Sequence, residues 1–557
     1  MEVPVTRLLT AEQMRALERT ANAAGLPYAE MMERAGLAVA TAVQELCPEG
    51  HCSVLVLVGP GNDGGDGLVA ACYLEEWNIA VKVYIWRRDT EPDPILERVQ
   101  ALGIPTVWQE QDKQLERLHA LAASCDVVVD ALLGTGASGP LRGNLPALLG
   151  VVRGEIAARK SRPSMQSLLP SPESRPYRRP KVIAVDLPSG LNADSGEISP
   201  EALRADVTVT FAHAKQGLLS PPGAEYAGQV VVADIGIAAD LAPSGAPNLI
   251  TAANVAALLP PRPSTGHKGS FGSVMVLGGS SNYVGAPCLA ARAAYRAGAG
   301  LVTLATPAAI HSTVAGLLPE ATHLLLPHSL GALVSDALDV IGPEFTRYQA
   351  LLVGPGLGRD PHTRELLTTL LAGQRSPAHR EIGFVPRLEL VLRYKLPPLI
   401  IDADGLNLLA ELPDSLKGLP AGTILTPHPG EMARLLGTSV SAVNADRLSC
   451  AREAALAWSC TVILKGAYTV VADANGDVWV NPMANAALAT AGSGDVLAGA
   501  IAGLRAQGCD SLQAALAGVY LHGLTGMLWS LRQGDAGLLA CELCDLLPRA
   551  RQRLENG

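Results

Sequence analysis

At 557 residues the chain exceeds what one hydrophobic core usually organises, so at least two domains are expected. Hydrophobic residues make up 48%, charged residues 17% and aromatics only 4%, which leaves packing to Ala, Val and Leu and, with 56 glycines, points to α/β layers joined by tight turns. A formal charge of −10 argues against a nucleic-acid surface and leaves room for small anionic ligands at local sites.

The opening residues Met1 to Arg7 lack the basic start and apolar run of a signal peptide, and no uncharged apolar span is expected to cross a bilayer. Ten cysteines scattered through apolar segments fit reduced core thiols in a cytosolic protein. Cys541 and Cys544 form a lone CxxC with no second pair nearby, which reads as core more readily than as a metal or redox site.

Residues 8–46 carry apolar positions at helical spacing, including Met14, Leu17, Met31 and Val43, with Thr10 as an N-cap; a helical pair packed on a sheet is predicted. Val54 to Val58 runs apolar on both faces, as a central parallel strand does, and ends in Gly59-Pro60-Gly61-Asn62-Asp63-Gly64-Gly65-Asp66-Gly67, with helical spacing resuming from Leu68 to Glu76. Gly59, Gly61 and Gly64 formally match GxGxxG, and Arg87-Arg88-Asp89 falls where a ribose contact would. Pro60 in the turn, and two aspartates where a pyrophosphate would approach, count against an ordinary dinucleotide site unless a cation is present.

Asp126 to Asp130 then leads into Ala131-Leu132-Leu133-Gly134-Thr135-Gly136-Ala137-Ser138-Gly139-Pro140, and Val182 to Asp186 into Leu187-Pro188-Ser189-Gly190-Leu191-Asn192. Ligands bind outside the carboxyl ends of strands in open α/β sheets, so Asp63, Asp66, Asp130 and Asp186 are expected to converge on one crevice; singly, each would be a cap or turn residue. Residues 159–180, rich in Arg, Pro and Ser, read as an exposed or disordered insertion. Strands over Ala205 to Phe211 and Val230 to Ile237 close the first domain, and a linker at 238–248 precedes a helix from Thr251.

The second domain repeats the alternation, with strands at Val274 to Leu277, Gly300 to Leu304, Ala350 to Val353 and Leu399 to Ile401, and a second irregular insertion at 374–397. Thr426-Pro427-His428-Pro429-Gly430-Glu431 and Lys465-Gly466-Ala467-Tyr468-Thr469 each follow an apolar strand. Ala491-Gly492-Ser493-Gly494-Asp495 then opens a helix: its glycines let backbone N–H groups approach an anion, the helix N-terminus adds partial positive charge, and Asp495 stands beside a phosphate site as a base. An isolated GxGD is more often a tight turn, but His428 and Lys465 at neighbouring strand ends favour a nucleotide-phosphate site; no GxxxxGK[ST] occurs, so it is not a P-loop.

Taken in order, these motifs, with His267-Lys268-Gly269 and Asp402-Ala403-Asp404-Gly405-Leu406-Asn407, resemble the bifunctional NAD(P)H-hydrate repair enzymes over nearly the whole chain. The resemblance implies an N-terminal Rossmann-like three-layer α/β/α epimerase domain (1–240) and a C-terminal ribokinase-like α/β dehydratase domain (248–557) using ADP or ATP with Mg2+. It assigns hydrate binding in the first domain to Asn62, Asp63, Gly64, Gly65 and Asp66, to Gly134, Thr135, Gly136, Ala137, Ser138, Gly139 and Pro140, and to Asp186, with a potassium ion (K+) at Asp63, Asp130 and Ser189. The family usually has asparagine at the Asp63 position, so local charge differs here. In the second domain it assigns the hydrate, NAD(P)HX, to Ala286, Gly356, His428 and Asp495, and adenine nucleotide to Lys465, Gly466, Ala467, Tyr468, Thr469 and Gly494. Asp186 and Asp495 are the expected catalytic acid/base groups. A cytoplasmic homo-oligomer without nucleic-acid or membrane partners is expected; the competing reading is a small-molecule kinase fused to a non-catalytic nucleotide-binding scaffold.

Overall fold

The computed structural model describes residues 6–47, 52–88, 93–136, 139–161, 179–238, 241–372 and 394–556, so most of both expected insertions, together with Ala137 and Ser138, lies outside the described residues. The chain divides into two units between Ala246 and Pro247.

The first unit is built on seven parallel strands: β1 (Ser53–Val58), β2 (Ala80–Ile85), β3 (Thr106–Trp108), β4 (Val127–Ala131), β5 (Lys181–Val185), β6 (Val207–Phe211) and β7 (Gln229–Ala233). Their order, β3-β2-β1-β4-β5-β6-β7, reverses direction at β1/β4, the switch point where open α/β sheets bind ligands. β1 shows why both faces are covered: Val54, Val56 and Val58 enter one core with helices Tyr28–Leu46 and Asn62–Glu76, while Leu55 and Leu57 enter another with Glu116–Ser124 and Leu145–Ser161. Thr10 caps the first helix in a capping box with Gln13.

The helix after β1 starts at Asn62 and not at Leu68. Its glycines, which read as loop residues, are packing residues. A Cβ on Gly64 would stand 2.1 Å from the Gly59 carbonyl oxygen, one on Gly65 2.7 Å from Met32 Sδ, and one on Gly67 2.6 Å from Ala131 Cβ. Close approach to β4 and to the preceding helix therefore requires them. Cys47 and Cys52 are disulfide-bonded, against the expectation of reduced thiols throughout; the other eight cysteines are in no disulfide.

The main sheet of the second unit has ten strands: β8 (Asn248–Leu249), β9 (Ser273–Leu277), β10 (Leu301–Pro307), β11 (Thr322–Leu326), β12 (Ala350–Val353), β13 (Leu399–Ile401), β14 (Ile424–Leu425), β15 (Thr461–Leu464), β16 (Val470–Ala472) and β17 (Val478–Val480). They are ordered β8-β17-β16-β15-β14-β13-β12-β9-β10-β11, parallel except where β16 runs antiparallel to β15 and β17. Four helices, Gly285–Ala297, Ser493–Ala506, Ser511–Gln533 and Ala540–Glu555, share one core with the sheet. Gly285–Ala297 and Ser493–Ala506 approach closely through glycine: a Cβ on Gly499 would fall 2.0 Å from the Ala290 carbonyl oxygen. Contrary to expectation, Ser511–Gln533 is long and apolar enough to span a bilayer, with a mean hydropathy of 1.2. Its apolarity has another use here, because Ala514, Ala515, Ala517, Val519 and Leu521 are buried in the core. Cys541 and Cys544 are free, and burial pushes the Cys544 thiol up to about 12, which fits the structural reading of that pair.

Candidate active sites

At the carboxyl edge of the first sheet, the chain leaves β5 through Asp186, a non-glycine residue held at φ 61°. Aspartate tolerates this left-handed conformation better than most residues, and it turns the carboxylate back toward β6. Three donors converge on Asp186 Oδ1: Thr210 Oγ1 at 3.0 Å, the Phe211 N–H at 3.3 Å, and Lys215 Nζ in a buried ion pair. Lys215 is 1% exposed and also donates to Thr210 Oγ1 (3.1 Å) and the Phe211 carbonyl (3.2 Å). A short parallel pairing of Leu8–Leu9 with Ala214–Lys215 fixes its backbone.

Around this one ammonium group lie more carboxyls than it neutralises. Burial, and then the Asp186 charge, push Asp63 up to about 7, with Lys215 opposing. Asp66 is raised by burial and then by Asp63, and Glu18 by burial against the pull of Lys215. Gly134 lies hard against Asp63, since a Cβ there would be 1.9 Å from Oδ2. Asp130 and Ser189 form a separate, fully buried pair: Ser189 Oγ donates to Asp130 Oδ1 (2.6 Å), its N–H donates to Oδ2 (2.9 Å), and the hydroxyl accepts from the Leu133 N–H (2.9 Å). Burial raises Asp130, and these bonds oppose it.

Beside this edge opens a cleft of about 860 Å³, lined by Gly136, Gly139, Pro140, Asn192, Trp86 and the basic Arg87 and Arg142, among others. The structure thus brings Asp63, Asp66 and Asp186 into one electrostatic cluster, puts Gly136, Gly139 and Pro140 on the cleft wall, and leaves Asn62 exposed at the start of its helix. The basic group near the glycine turn is Arg88, paired with Asp93 and 3.3–3.4 Å from the Gly61 and Gly59 carbonyls.

In the second unit, Asp402 follows β13 and is 1% exposed; its Oδ1 accepts from Thr426 Oγ1 (2.7 Å) and Lys465 Nζ (2.6 Å). Lys465 also stands 3.7 Å from Glu431 Oε2. Burial disfavours its charge, yet Asp402 and Glu431 outweigh burial and the group is raised. Glu431 is pushed up to about 7 by burial. His428 caps the helix Pro429–Leu436: its Nδ1 accepts from the Gly430 N–H at 2.9 Å, while its own N–H donates to Glu431 Oε2 at 2.7 Å.

Gly492, at φ 86°, caps the helix Ser493–Ala506, as the GxGD loop predicts, and puts Asp495 in its first turn. Asp495 is pushed up to about 7, by burial first and then by Asp402, while Lys465 opposes. A cavity of about 650 Å³ meets this edge, and His428, Lys465, Gly466, Ala467, Thr469 and Gly494 all line it. Tyr468, at φ 53°, belongs to the same loop but not to the lining. Ala286 and Gly356 meet each other elsewhere, a Cβ on Gly356 standing 3.2 Å from Ala286 Cβ.

Sequence reasoning missed Lys215 and Glu18, and gave no role to Asp402 or Glu431. A lone lysine closing an apolar stretch just after a strand was the available signal for Lys215, as it had been for Lys465.

Two parallel α/β units, each with an acid-rich centre at the carboxyl edge of its sheet, define a two-centre α/β enzyme. A family profile described as YjeF-related protein N-terminus matches residues 28–217, and one described as NAD(P)H-hydrate dehydratase matches residues 274–549. Full-length relatives named bifunctional NAD(P)H-hydrate repair enzyme Nnr include those of Moorella thermoacetica (38% identical, covering 99% of this chain and 97% of the relative) and Escherichia coli K12 (32%, 97% and 93%). A solved Bacillus subtilis ADP/ATP-dependent NAD(P)H-hydrate dehydratase, co-crystallised with ATP/Mg2+, is 31% identical and covers 56% of this chain and 100% of its own, with a TM-score of 0.44. The chain belongs to the bifunctional NAD(P)H-hydrate repair enzyme family. The expected two-domain α/β fold class is the one observed.

Proposed function

We propose that this chain epimerises (R)- and (S)-NAD(P)HX in its first unit and dehydrates the S form to NAD(P)H in its second, consuming ADP or ATP. The observation that carries the reading is the pair of buried lysine–carboxylate centres on one chain, each holding one carboxyl near neutral pH. In the first centre Asp186 acts as acid/base. The ring-nitrogen lone pair expels the C6 hydroxyl, which takes up a proton and leaves as water; water then adds to the opposite face of the C=N+ bond and returns a proton to the carboxylate. With three donors on Oδ1, Asp186 presents Oδ2 to the reacting oxygen.

In the second centre the C6 hydroxyl oxygen attacks the terminal phosphoryl group, Asp495 takes its proton, and AMP or ADP departs. The ring nitrogen then expels phosphate, and loss of a C5 proton restores the dihydropyridine. Backbone N–H groups at Gly492 to Gly494, with Lys465, face the charge that develops. Mg2+ would neutralise phosphate charge at an edge where Asp402, Asp404 and Glu431 already act on Asp495.

K+ would suit the oxygen donors of Asp130 and Ser189, whereas Asp63 stands against Gly134 and not against that pair. Hydrate contacts follow the assignment given above, His428 standing on the nucleotide cavity. A cytoplasmic homo-oligomer is part of the same proposal.

The test is incubation with mixed R and S NADHX and ADP or ATP, following NADH absorbance. Complete recovery requires both centres. Recovery limited to the S fraction, beyond spontaneous epimerisation, would falsify the first assignment, and no nucleotide-dependent recovery would remove the second.

A further inference from the structure

The cleft beside the first centre crosses much of the sheet edge. Its walls include Trp86 and Arg87 after β2, Pro140 and Arg142 after β4, and Gly190 and Asn192 after β5. Asp186 leaves β5, so Arg87 stands three strand intervals from it in the order β2-β1-β4-β5. At the usual spacing of neighbouring strands that is about 14 Å, a span that suits two linked nucleotides better than one.

The end of the cleft far from Asp186 is basic and preorganised. Trp86 is 7% exposed and organises both arginines. Its ring lies under the Arg87 guanidinium, whose Cζ is 5.0 Å from the ring centroid. Its indole N–H donates to Asn144 Oδ1 at 2.7 Å, which ties the segment carrying Arg142 to the end of β2. The two meet at Gly143, where φ is 66° and a Cβ would stand 3.3 Å from Arg87 Nη2. Arg87 and Arg142 are exposed, and neither has a carboxylate partner among the described residues, whereas Arg88 is committed to Asp93. Glu197, which follows β5, is the one carboxylate among the described lining residues. Neighbouring unpaired guanidinium groups repel each other, and an anion seated between them relieves that repulsion.

Forked N–H donors match phosphate oxygens, and a pair of them matches a phosphate monoester, with three terminal oxygens and nearly two charges, better than one half of a pyrophosphate. In doubly wound α/β folds the end of the second strand is where the sugar 2′ position is read: a carboxylate there accepts from a ribose hydroxyl, and an arginine accommodates a 2′-phosphate. Arg88 lies across the glycine turn, so Arg87 is the group left free at that strand end.

We propose that Arg87 and Arg142 clamp the 2′-phosphate of the hydrated cofactor and make the first centre prefer NADPHX to NADHX. The inference rests on the epimerase reading of that centre and adds the residues that choose between its two substrates. With the reacting ring at Asp186, the pyrophosphate common to both substrates falls in the middle of the span and the 2′-phosphate at its basic end. A charge-assisted hydrogen bond to phosphate is worth about 10-fold at the low end of its range, which is the end that applies to exposed side chains.

The test follows R/S equilibration of (R)-NADPHX and of (R)-NADHX by the full-length protein without ADP or ATP, which keeps the second centre silent. Wild type, Arg87→Met and Arg142→Met are compared, with a thermal melt on each sample. Wild type should show a KM about 10-fold lower for NADPHX, a preference that shrinks as salt is raised. Each variant should bring the KM ratio to about 3 or below, chiefly by raising KM for NADPHX. The ratio is insensitive to a partly unfolded sample, since both substrates see the same folded fraction. Equal KM values in wild type, the result expected if the arginines held the shared pyrophosphate, overturn the clamp and spare the epimerase, as does a ratio that survives both substitutions. No equilibration of either substrate beyond the spontaneous rate overturns both.

Discussion

Replacing Asp495 with Asn should abolish nucleotide-dependent dehydration and stabilise the protein, with opposite dependence on need for the charge. Asparagine keeps the shape and removes the base, and a positioned general base contributes about 10²- to 10⁴-fold. The stability effect follows from the cause of the pKa shift: the carboxylate is partly buried near Asp402, Asp404 and Glu431, with Lys465 as the opposing charge. Its folded pKa of about 7 lies above the 3.8 of an unperturbed aspartate, so the native state holds the proton more tightly than the unfolded chain. The stability this confers is complete below pH 3.8 and is lost as pH rises through about 7. Three units at 1.36 kcal/mol each would be about 4 kcal/mol; partial exposure and screening reduce this to about 2 kcal/mol. The variant, which never ionises, should therefore match wild type in melting temperature at pH 4 and exceed it by roughly 4 °C at pH 8. Melts at the two pH values, with rates on (S)-NADHX and on R/S equilibration, read all three consequences. A Tm difference that does not grow with pH, or dehydration at the wild-type rate, would refute the electrostatic account of this centre.

Asp186→Asn should lose R/S equilibration by about 10²-fold or more while leaving ADP-dependent dehydration of the S form intact, read by chiral separation of the hydrates. Lys215→Met removes the cation from Asp186, and a hydrogen bond to a charged group is worth about 1.5–3 kcal/mol, so epimerisation should fall by about 10- to 100-fold with its pH profile displaced upward, because Lys215 now lowers Asp63. Gly134→Ala places a Cβ 1.9 Å from Asp63 Oδ2 and should impair epimerisation alone, in a protein whose dehydratase rate reports intact folding of the second unit. Exchange of K+ for a bulky organic cation should slow epimerisation and not dehydration.

Much of this was legible in the sequence, because strands buried on both faces and polar residues at their ends leave a periodic trace: β1, β4, β5, β9 and β12 fall where apolar runs place them. The GxGD loop was legible for the same reason, as Gly492 does adopt the left-handed cap. Less visible was the role of glycine at 64, 65 and 67, since one residue type serves both turns and close packing, and only the neighbouring Met32, Gly59 and Ala131 distinguish the two. Lys215 and Glu18 were illegible because their significance comes from what lies across the fold: Lys215 is 29 residues from Asp186, and Glu18 stands on the first helix, far from both in sequence.

The two centres share one electrostatic device on unrelated sheets. In the first, Lys215 lies among Asp186, Glu18, Asp63 and Asp66; in the second, Lys465 faces Asp402, Glu431 and Asp495, with Asp404 also acting on Asp495. One buried ammonium group cannot neutralise four carboxyls, and with burial disfavouring further charge, the least costly outcome is that one or more carboxyls keep their protons near pH 7. That is the condition proton exchange at a hydroxyl requires, since a carboxyl titrating near ambient pH both gives and takes a proton readily. The lysine sets the charge balance: without it, Asp63 and Asp495 would move above neutrality and remain protonated, while a second cation would drive them back toward ordinary carboxylates. A substrate phosphate entering the second centre adds negative charge and raises Asp495 further, so an accompanying Mg2+ would serve acid/base tuning as well as phosphoryl transfer.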